Sequence, residues 1–141
     1  RLVIVGRKPP RWLVERVGGC ERVELQADVA DVRPFLRQCG VMAVPLRIGG
    51  GSRLKILEAL AAECPVVSTR VGAEGLCLVP GTHFVRVEAV EEMASTLVQC
   101  LRDPKPLADM AALGRQVVCQ RYDWSILARK LETLWQHPQR S

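Results

Sequence analysis

Short apolar segments alternate with amphipathic segments along the first ninety residues of this 141-residue chain. The apolar segments are long enough for strands, and most of them are apolar on both faces: "RLVIVG", "ERVELQ", "GVMAVPL", "CPVVST" and "THFVRV". Strands with two apolar faces are typical of parallel sheets, because helices cover both sides of such a sheet. The pattern therefore predicts an α/β fold in which a parallel sheet is flanked by helices.

The segments between the strands have the features of helices. "PRWLVERV" carries Pro10 in its first turn, and "DVRPFLRQC" has Asp31 as a cap, with a proline at an early position. A third helix is predicted over residues 52–62, with Ser52 as its N-cap.

A helical C-terminal end follows, built from three apolar stripes at helical spacing. Each stripe is expected to pack on the core, and Asp123 is expected to cap the last helix. Trp135 could instead reach a neighbouring domain, and residues 137–141 are expected to fray. The stripes are Val90, Met93, Ala94, Leu97 and Leu101; Leu107, Met110, Ala111 and Val117; and Trp124, Leu127, Ala128, Leu131, Leu134 and Trp135.

Composition narrows the classes of function. The net charge is +5, but aromatic residues make up only 4% and no arginine-rich run occurs, which argues against a nucleic-acid partner. The six cysteines include no CxxC pair, so neither a metal nor another cofactor is expected. Scattered cysteines in a chain of this size are typical of reduced thiols, which predicts a cytoplasmic location.

The stretch "PLRIGGGSRLKILEAL", residues 45–60, carries the strongest functional signal. A strand leads into three glycines and then a helix, at the sheet edge where α/β folds bind ligands. Glycine lets the backbone approach a ligand, and a helix N-terminus attracts anions. Arg53 and Lys55 could bind the same anion, which would offset the cost of positive charge in a first helical turn. Neither GxxxxGK[ST] nor GxGxxG is present.

Glu58 lies in an otherwise apolar segment and allows two interpretations. It is either a surface residue paired with Lys55 at i, i+3, or a carboxylate that faces the ligand and accepts hydrogen bonds from sugar hydroxyls. Spacing alone does not choose between them. Of the remaining polar residues, Glu74 could face a cleft between domains, and His83 is expected to make a local hydrogen bond. Gly72 and Gly75 are expected to serve backbone geometry.

The segment "GGGSRLKILEALAAECPVVSTRVGAEGL" resembles the donor-binding half of GT-B glycosyltransferases of family 4. The resemblance extends to "ADVADVRPFLRQCGVMAVPL" before it and to "LRDP", "LGRQVV" and "RYDW" after it. It implies that residues 1–141 form a Rossmann-like nucleotide-sugar-binding domain, without its first strand and helix, from a longer two-domain enzyme. The other partner would be that enzyme's own N-terminal acceptor domain.

The resemblance also implies roles for residues. Glu58 matches the second glutamate of an E-x7-E pattern, which holds the donor ribose. Val29 matches a loop that touches the base edge. Matches to the turn that meets the donor sugar and diphosphate are Gly50, Gly51, Ser52, Arg53 and Leu54.

One departure from the family pattern concerns the first glutamate of E-x7-E, which is replaced by Gly50. The resemblance implies transfer with retention of anomeric configuration, to an acceptor such as a glycan or a lipid-linked sugar. Contact with the inner face of a membrane is compatible with such an acceptor. No catalytic residue is assigned. The alternative is a catalytically inactive nucleotide-binding or interaction module with the same fold.

Overall fold

The strands are parallel and flanked by helices, as predicted, but they form two sheets rather than one. This computed structural model describes residues 1–136 and divides the chain into two compact units, Arg1–Phe35 and the part from Leu36 onward.

The first unit is a β-α-β arrangement. Strand β1 (Leu2–Gly6) pairs with β2 (Val23–Ala27), and helix α1 (Arg11–Gly18) connects them. Pro10 directly precedes α1, and its carbonyl accepts hydrogen bonds from the helix's first turn. After β2, helix α2 (Arg33–Gln38) begins where the Asp31 carboxylate accepts a hydrogen bond from the N–H of Arg33, at 2.9 Å.

The second unit has a three-stranded sheet with β4 in its centre. Strands β3 (Met42–Val44) and β5 (Val85–Val87) pair with either side of β4 (Val66–Thr69). The helices, in chain order, are α3 (Leu54–Ala61), α4 (Arg70–Ala73), α5 (Met93–Arg102), α6 (Lys105–Tyr122) and α7 (Trp124–Gln136), with a 3₁₀ turn at Val90–Glu92.

Every residue of β4 is buried, and its alternating side chains enter two different clusters. Val66 packs in a cluster with residues of α3 and α6, whereas Val67 packs in a cluster with Met93 of α5. Helices thus cover both faces of this sheet, as its apolar strands predict.

The three C-terminal stripes differ in outcome. Leu107 and Ala111 of α6 are buried, with Val118 in place of the predicted Val117, and Met93 of α5 is buried as well. The prediction of core packing is wrong for α7, where Trp124 and Trp135 are both 84% exposed. Periodicity identifies an apolar face but not the surface that it meets.

Asp123 caps α7 as predicted, since its carboxylate accepts hydrogen bonds from the Ser125 N–H and hydroxyl. The prediction for residues 137–141 lies outside the described residues. Within residues 1–136, no helix combines the length and apolar character that a membrane span requires.

Helices α3 and α6 approach each other closely at Gly114. A Cβ atom built on Gly114 would lie 2.8 Å from Leu60 Cδ2 and 3.1 Å from the carbonyl oxygen of His83. Real Cβ contacts are longer, so the close approach of these helices requires glycine at this position.

We predict that Gly114→Ala lowers the free energy of unfolding by about 1–2 kcal/mol, because overpacking outweighs the better helix propensity of alanine. Gly18→Ala in α1 is the matched control, because a Cβ on Gly18 meets nothing within 4 Å. Urea unfolding followed by circular dichroism would measure both variants. Equal stability of the two variants would contradict the packing argument.

Candidate functional site

The glycine turn lies at the carboxyl end of β3, between Val44 and the start of α3 at Leu54. Thr69, the last residue of β4, fixes the beginning of this connection. Its hydroxyl donates to the carbonyl of Leu46 at 2.6 Å and accepts from the N–H of Gly72 at 3.1 Å. One side chain thus ties the loop after β3 to the end of β4 and caps α4. Sequence reasoning missed this role, although threonine at the end of a strand and before a helix is a recognised N-cap signal.

Helix α3 begins two residues later than predicted, and Ser52 does not cap it. The N-cap residue is Arg53, which has a left-handed backbone (φ 54°, ψ 25°), and no side chain caps the helix. Ser52 is exposed and lies between Gly51, which has φ 98°, and this left-handed arginine. The chain enters α3 through positive φ at Gly51 and again at Arg53, and the expected cap by the Ser52 side chain is absent.

The guanidinium of Arg53 points inward and braces the glycine turn. Nη2 donates to the carbonyl of Gly49 at 2.9 Å, and Nη1 donates to the carbonyl of Gly50 at 3.1 Å. The side chain is only 7% exposed, and Glu74 lies 3.9 Å from Nη2. A Cβ on Gly49 would come within 3.3 Å of Nη1, so this glycine makes room for the guanidinium.

These contacts correct the expectation that Arg53 places a free positive charge in the first helical turn. Its guanidinium already holds two carbonyls and faces a carboxylate, although Nε is buried without a partner in the described residues. Glu74 is 65% exposed, so the ion pair is a weak surface contact rather than a main source of stability. Arg53 therefore acts in this structure as a brace of the turn.

The start of α3 is left open. The first N–H groups of a helix lack partners within it, and those of Leu54 and Lys55 donate to no group in the part of the chain that the structure describes. Both side chains are exposed. An uncapped helix N-terminus with free N–H groups can bind an anion such as a phosphate.

Glu58 is exposed one helical turn after Leu54. Across residues 1–136 it makes no ion pair with Lys55, and neither side chain forms a hydrogen bond. The interpretation of Glu58 as the partner of Lys55 is therefore wrong in this structure. A carboxylate without a protein partner beside an open helix start can accept hydrogen bonds from a ligand's hydroxyls.

The structure brings together around one helix start most of the residues that the sequence singled out: Gly50, Gly51, Ser52, Arg53, Leu54, Lys55, Glu58 and Glu74. Val29 belongs to the first unit, where it is half-buried after β2, so its contact with a base stays a prediction. The prediction of a backbone role is confirmed for Gly75, which has φ 79°, but it is wrong for Gly72, which is glycine because a Cβ there would collide with Ser68 Oγ. His83 makes the local bond expected of it, accepting from the N–H of Val79.

Sequence comparison finds relatives that are named as glycosyl transferases. The profile of the family "Glycosyl transferases group 1" matches residues 1–103. The chain is 32% identical over 142 aligned residues to the phosphatidyl-myo-inositol mannosyltransferase of Mycobacterium leprae, covering 96% of this chain and 37% of that protein. A GDP-mannose-dependent monoacylated alpha-(1-6)-phosphatidylinositol monomannoside mannosyltransferase of Corynebacterium glutamicum is 30% identical, over 75% of this chain and 30% of its own length. The chain thus spans about a third of each relative.

Solved structures share the fold. Sucrose-phosphate synthase of Thermosynechococcus elongatus superposes with a TM-score of 0.81 at 21% identity, over 96% of this chain and 37% of that one. Anabaena HepE, solved in complex with UDP, superposes with a TM-score of 0.74 at 23% identity, over 89% of this chain and 35% of its own. Both likenesses support the Rossmann-like half of a GT-B fold.

We predict that Arg53→Lys loosens the glycine turn, because lysine keeps the charge but lacks the two-pronged donor fork. The ¹⁵N order parameters of the Gly49 and Gly50 amides should fall from about 0.85 towards 0.6. Lys55→Met is the control, since the Lys55 side chain is exposed and makes no polar contact among the described residues. Order parameters that stay unchanged in Arg53→Lys would show that the turn holds its shape without the brace.

Proposed function

Because the chain belongs to the family of group 1 glycosyl transferases, we propose that it is the donor-binding part of an enzyme that transfers a sugar from a nucleotide-sugar. The observation that carries this proposal is the open start of α3, with unpartnered N–H groups and an unpaired Glu58 at the carboxyl edge of the sheet. The transferase activity belongs to the longer protein, because this chain spans about a third of its relatives.

The diphosphate of the donor binds at the N-terminus of α3 in this proposal. The N–H groups of Leu54 and Lys55 donate to its oxygens, and the exposed Lys55 ammonium adds charge from the same turn. As the sugar bond breaks, negative charge grows on the leaving diphosphate. Donors that are already aligned stabilise that charge without reorganising. Arg53 contributes indirectly, by holding the carbonyls of Gly49 and Gly50 and so fixing the turn.

Glu58 binds the ribose of the donor. A carboxylate is an acceptor with two oxygens, so it can receive hydrogen bonds from both hydroxyls of a ribose. Glu58 lies one helical turn from the proposed diphosphate site, on the same side of α3 as Leu54 and Lys55. The resemblance assigns the same role to this residue. Val29 would contact the base.

The names of relatives suggest the donor and the acceptor. One mannosyltransferase relative is named for GDP-mannose and both are named for phosphatidylinositol acceptors, whereas the HepE structure contains UDP. We therefore rank guanosine and uridine diphosphate sugars first among the possible donors. We also propose a lipid-linked acceptor, held by an upstream N-terminal domain. Transfer would retain anomeric configuration, proceed without a metal, and take place at the inner face of a membrane.

One observation favours a second candidate function. Gly50 stands where the resemblance expects a glutamate that contacts the donor sugar. A chain without that carboxylate could bind a nucleotide yet transfer no sugar, as a catalytically inactive nucleotide-binding or interaction module.

We predict that the chain binds one nucleoside diphosphate among GDP, UDP and ADP, and that Glu58→Gln weakens this binding by about 10- to 100-fold. That range corresponds to the loss of charged hydrogen bonds worth about 1.5–3 kcal/mol. Calorimetric titration would measure it. Glu63→Gln is the matched control, because Glu63 follows the same helix but pairs with Arg115. The donor proposal fails if the folded chain binds none of the three, or if both variants behave alike.

We also predict that Gly50→Glu folds normally, because its Cβ meets nothing within 4 Å and its φ is not in the left-handed region. The new carboxylate should strengthen binding of the nucleotide-sugar relative to the free diphosphate, by about tenfold for one charged hydrogen bond. Gly50→Gln is the control, because glutamine has the shape of glutamate without its charge and so separates the effect of charge from that of size. An equal change for both ligands would place residue 50 away from the donor sugar.

A further inference from the structure

Two of the cysteines, Cys39 and Cys64, lie next to each other at the amino ends of β3 and β4. In the ladder, Met42 pairs with Val66, and the N–H of Met42 donates to the carbonyl of Pro65 at 2.7 Å. Cys39 and Cys64 lie just before this first pair of the ladder, on the two chain segments that enter the neighbouring strands.

Contacts of the two sulfur atoms agree with this placement. Cys64 Sγ lies 3.9 Å from the carbonyl oxygen of Cys39, and Cys39 Sγ donates to the carbonyl of Val41 at 3.0 Å. Both residues belong to the same apolar cluster. Cys64 is only 1% exposed, whereas Cys39 is half-buried. A reagent from solvent therefore reaches Cys39 first.

Hydrogen bonding and burial shift the pKa values of the two thiols in opposite directions. A hydrogen bond from Cys64 lowers the pKa of Cys39 to about 6. The same hydrogen bond, together with burial, raises the pKa of Cys64. Of the two thiols, the half-buried Cys39 is therefore the one that ionises more readily, and the buried Cys64 is the one that keeps its proton.

We propose that Cys39 and Cys64 form an oxidation site that reacts with a hydroperoxide, Cys39 as the attacking thiolate and Cys64 as the resolving thiol. The Cys39 sulfur attacks the terminal peroxide oxygen, the O–O bond breaks, and the leaving alkoxide (hydroxide when the oxidant is hydrogen peroxide) takes a proton to become an alcohol or water. Cys39 is then a sulfenic acid. The Cys64 sulfur attacks the Cys39 sulfur, the S–O bond breaks, and the hydroxyl leaves as water with the thiol's proton. Two thiols have lost two electrons to one hydroperoxide.

The resulting disulfide would close a covalent loop over residues 39–64, which contains the glycine turn and α3. It would lie at the amino ends of β3 and β4, whereas the turn follows the carboxyl end of β3. The link therefore leaves the start of α3 open and constrains the segment that carries it. This inference does not depend on the proposed donor site.

The test treats the folded chain with hydrogen peroxide, blocks remaining thiols with an alkylating reagent, and identifies linked peptides by mass spectrometry. We expect a Cys39–Cys64 peptide as the main product, about 2 Da lighter than the two reduced peptides. Cys39 should react at least about tenfold faster than Cys20, although Cys20 is the more exposed of the two cysteines. In Cys64→Ser, Cys39 should stop as a sulfenic acid that dimedone traps.

The wild-type digest decides the proposal by itself, so it stays falsifiable even if a cysteine variant does not fold. A Cys39 that is oxidised while Cys64 can still be alkylated after unfolding would overturn the resolving role. A Cys39 that reacts no faster than Cys20 would overturn the attacking role.

Discussion

The complete burial of β4 is the constraint on which the second unit depends. Its four residues have neighbouring strands on both sides and helices over both faces, so none of them reaches solvent. Val66 and Val67 point to opposite faces and require an apolar layer on each. Helices α3 and α6 supply one layer and α5 supplies the other. Because the strands are parallel, the loops that follow them meet at one edge, and the glycine turn lies there.

Burial also explains how that edge is made rigid. Thr69 is buried at the end of β4, so its hydroxyl needs partners, and it finds them in the loop after β3 and at the start of α4. Arg53 is buried in the same way and finds partners in the carbonyls of Gly49 and Gly50. Two buried polar side chains thus form hydrogen bonds with the backbone of the loop between β3 and α3, and these bonds hold the loop that a ligand would meet.

The sequence predicted the features that depend on local pattern. The five strand segments, most of the helices and the cap at Asp123 follow from periodicity and from residue type, and the structure agrees with them. The sequence did not predict the left-handed backbone of Arg53 or its inward-pointing guanidinium. A charged residue before a helix is expected to be exposed to solvent, and only its tertiary neighbours show that it is buried. The exposure of α7 was missed for a related reason, since an amphipathic pattern is the same whether or not a partner covers the apolar face.

The three glycines of the turn can now be distinguished by what each position demands. Gly49 leaves room for the Arg53 guanidinium, which a Cβ would approach closely, and Gly51 is required because its φ of 98° strains any other residue. Gly50 meets neither demand: a Cβ there would enter open space, and its backbone lies outside the left-handed region. Folding does not dictate glycine at position 50. The packing and the backbone of the turn therefore leave room for a side chain at position 50, so the glycine there needs an explanation other than how the turn is built.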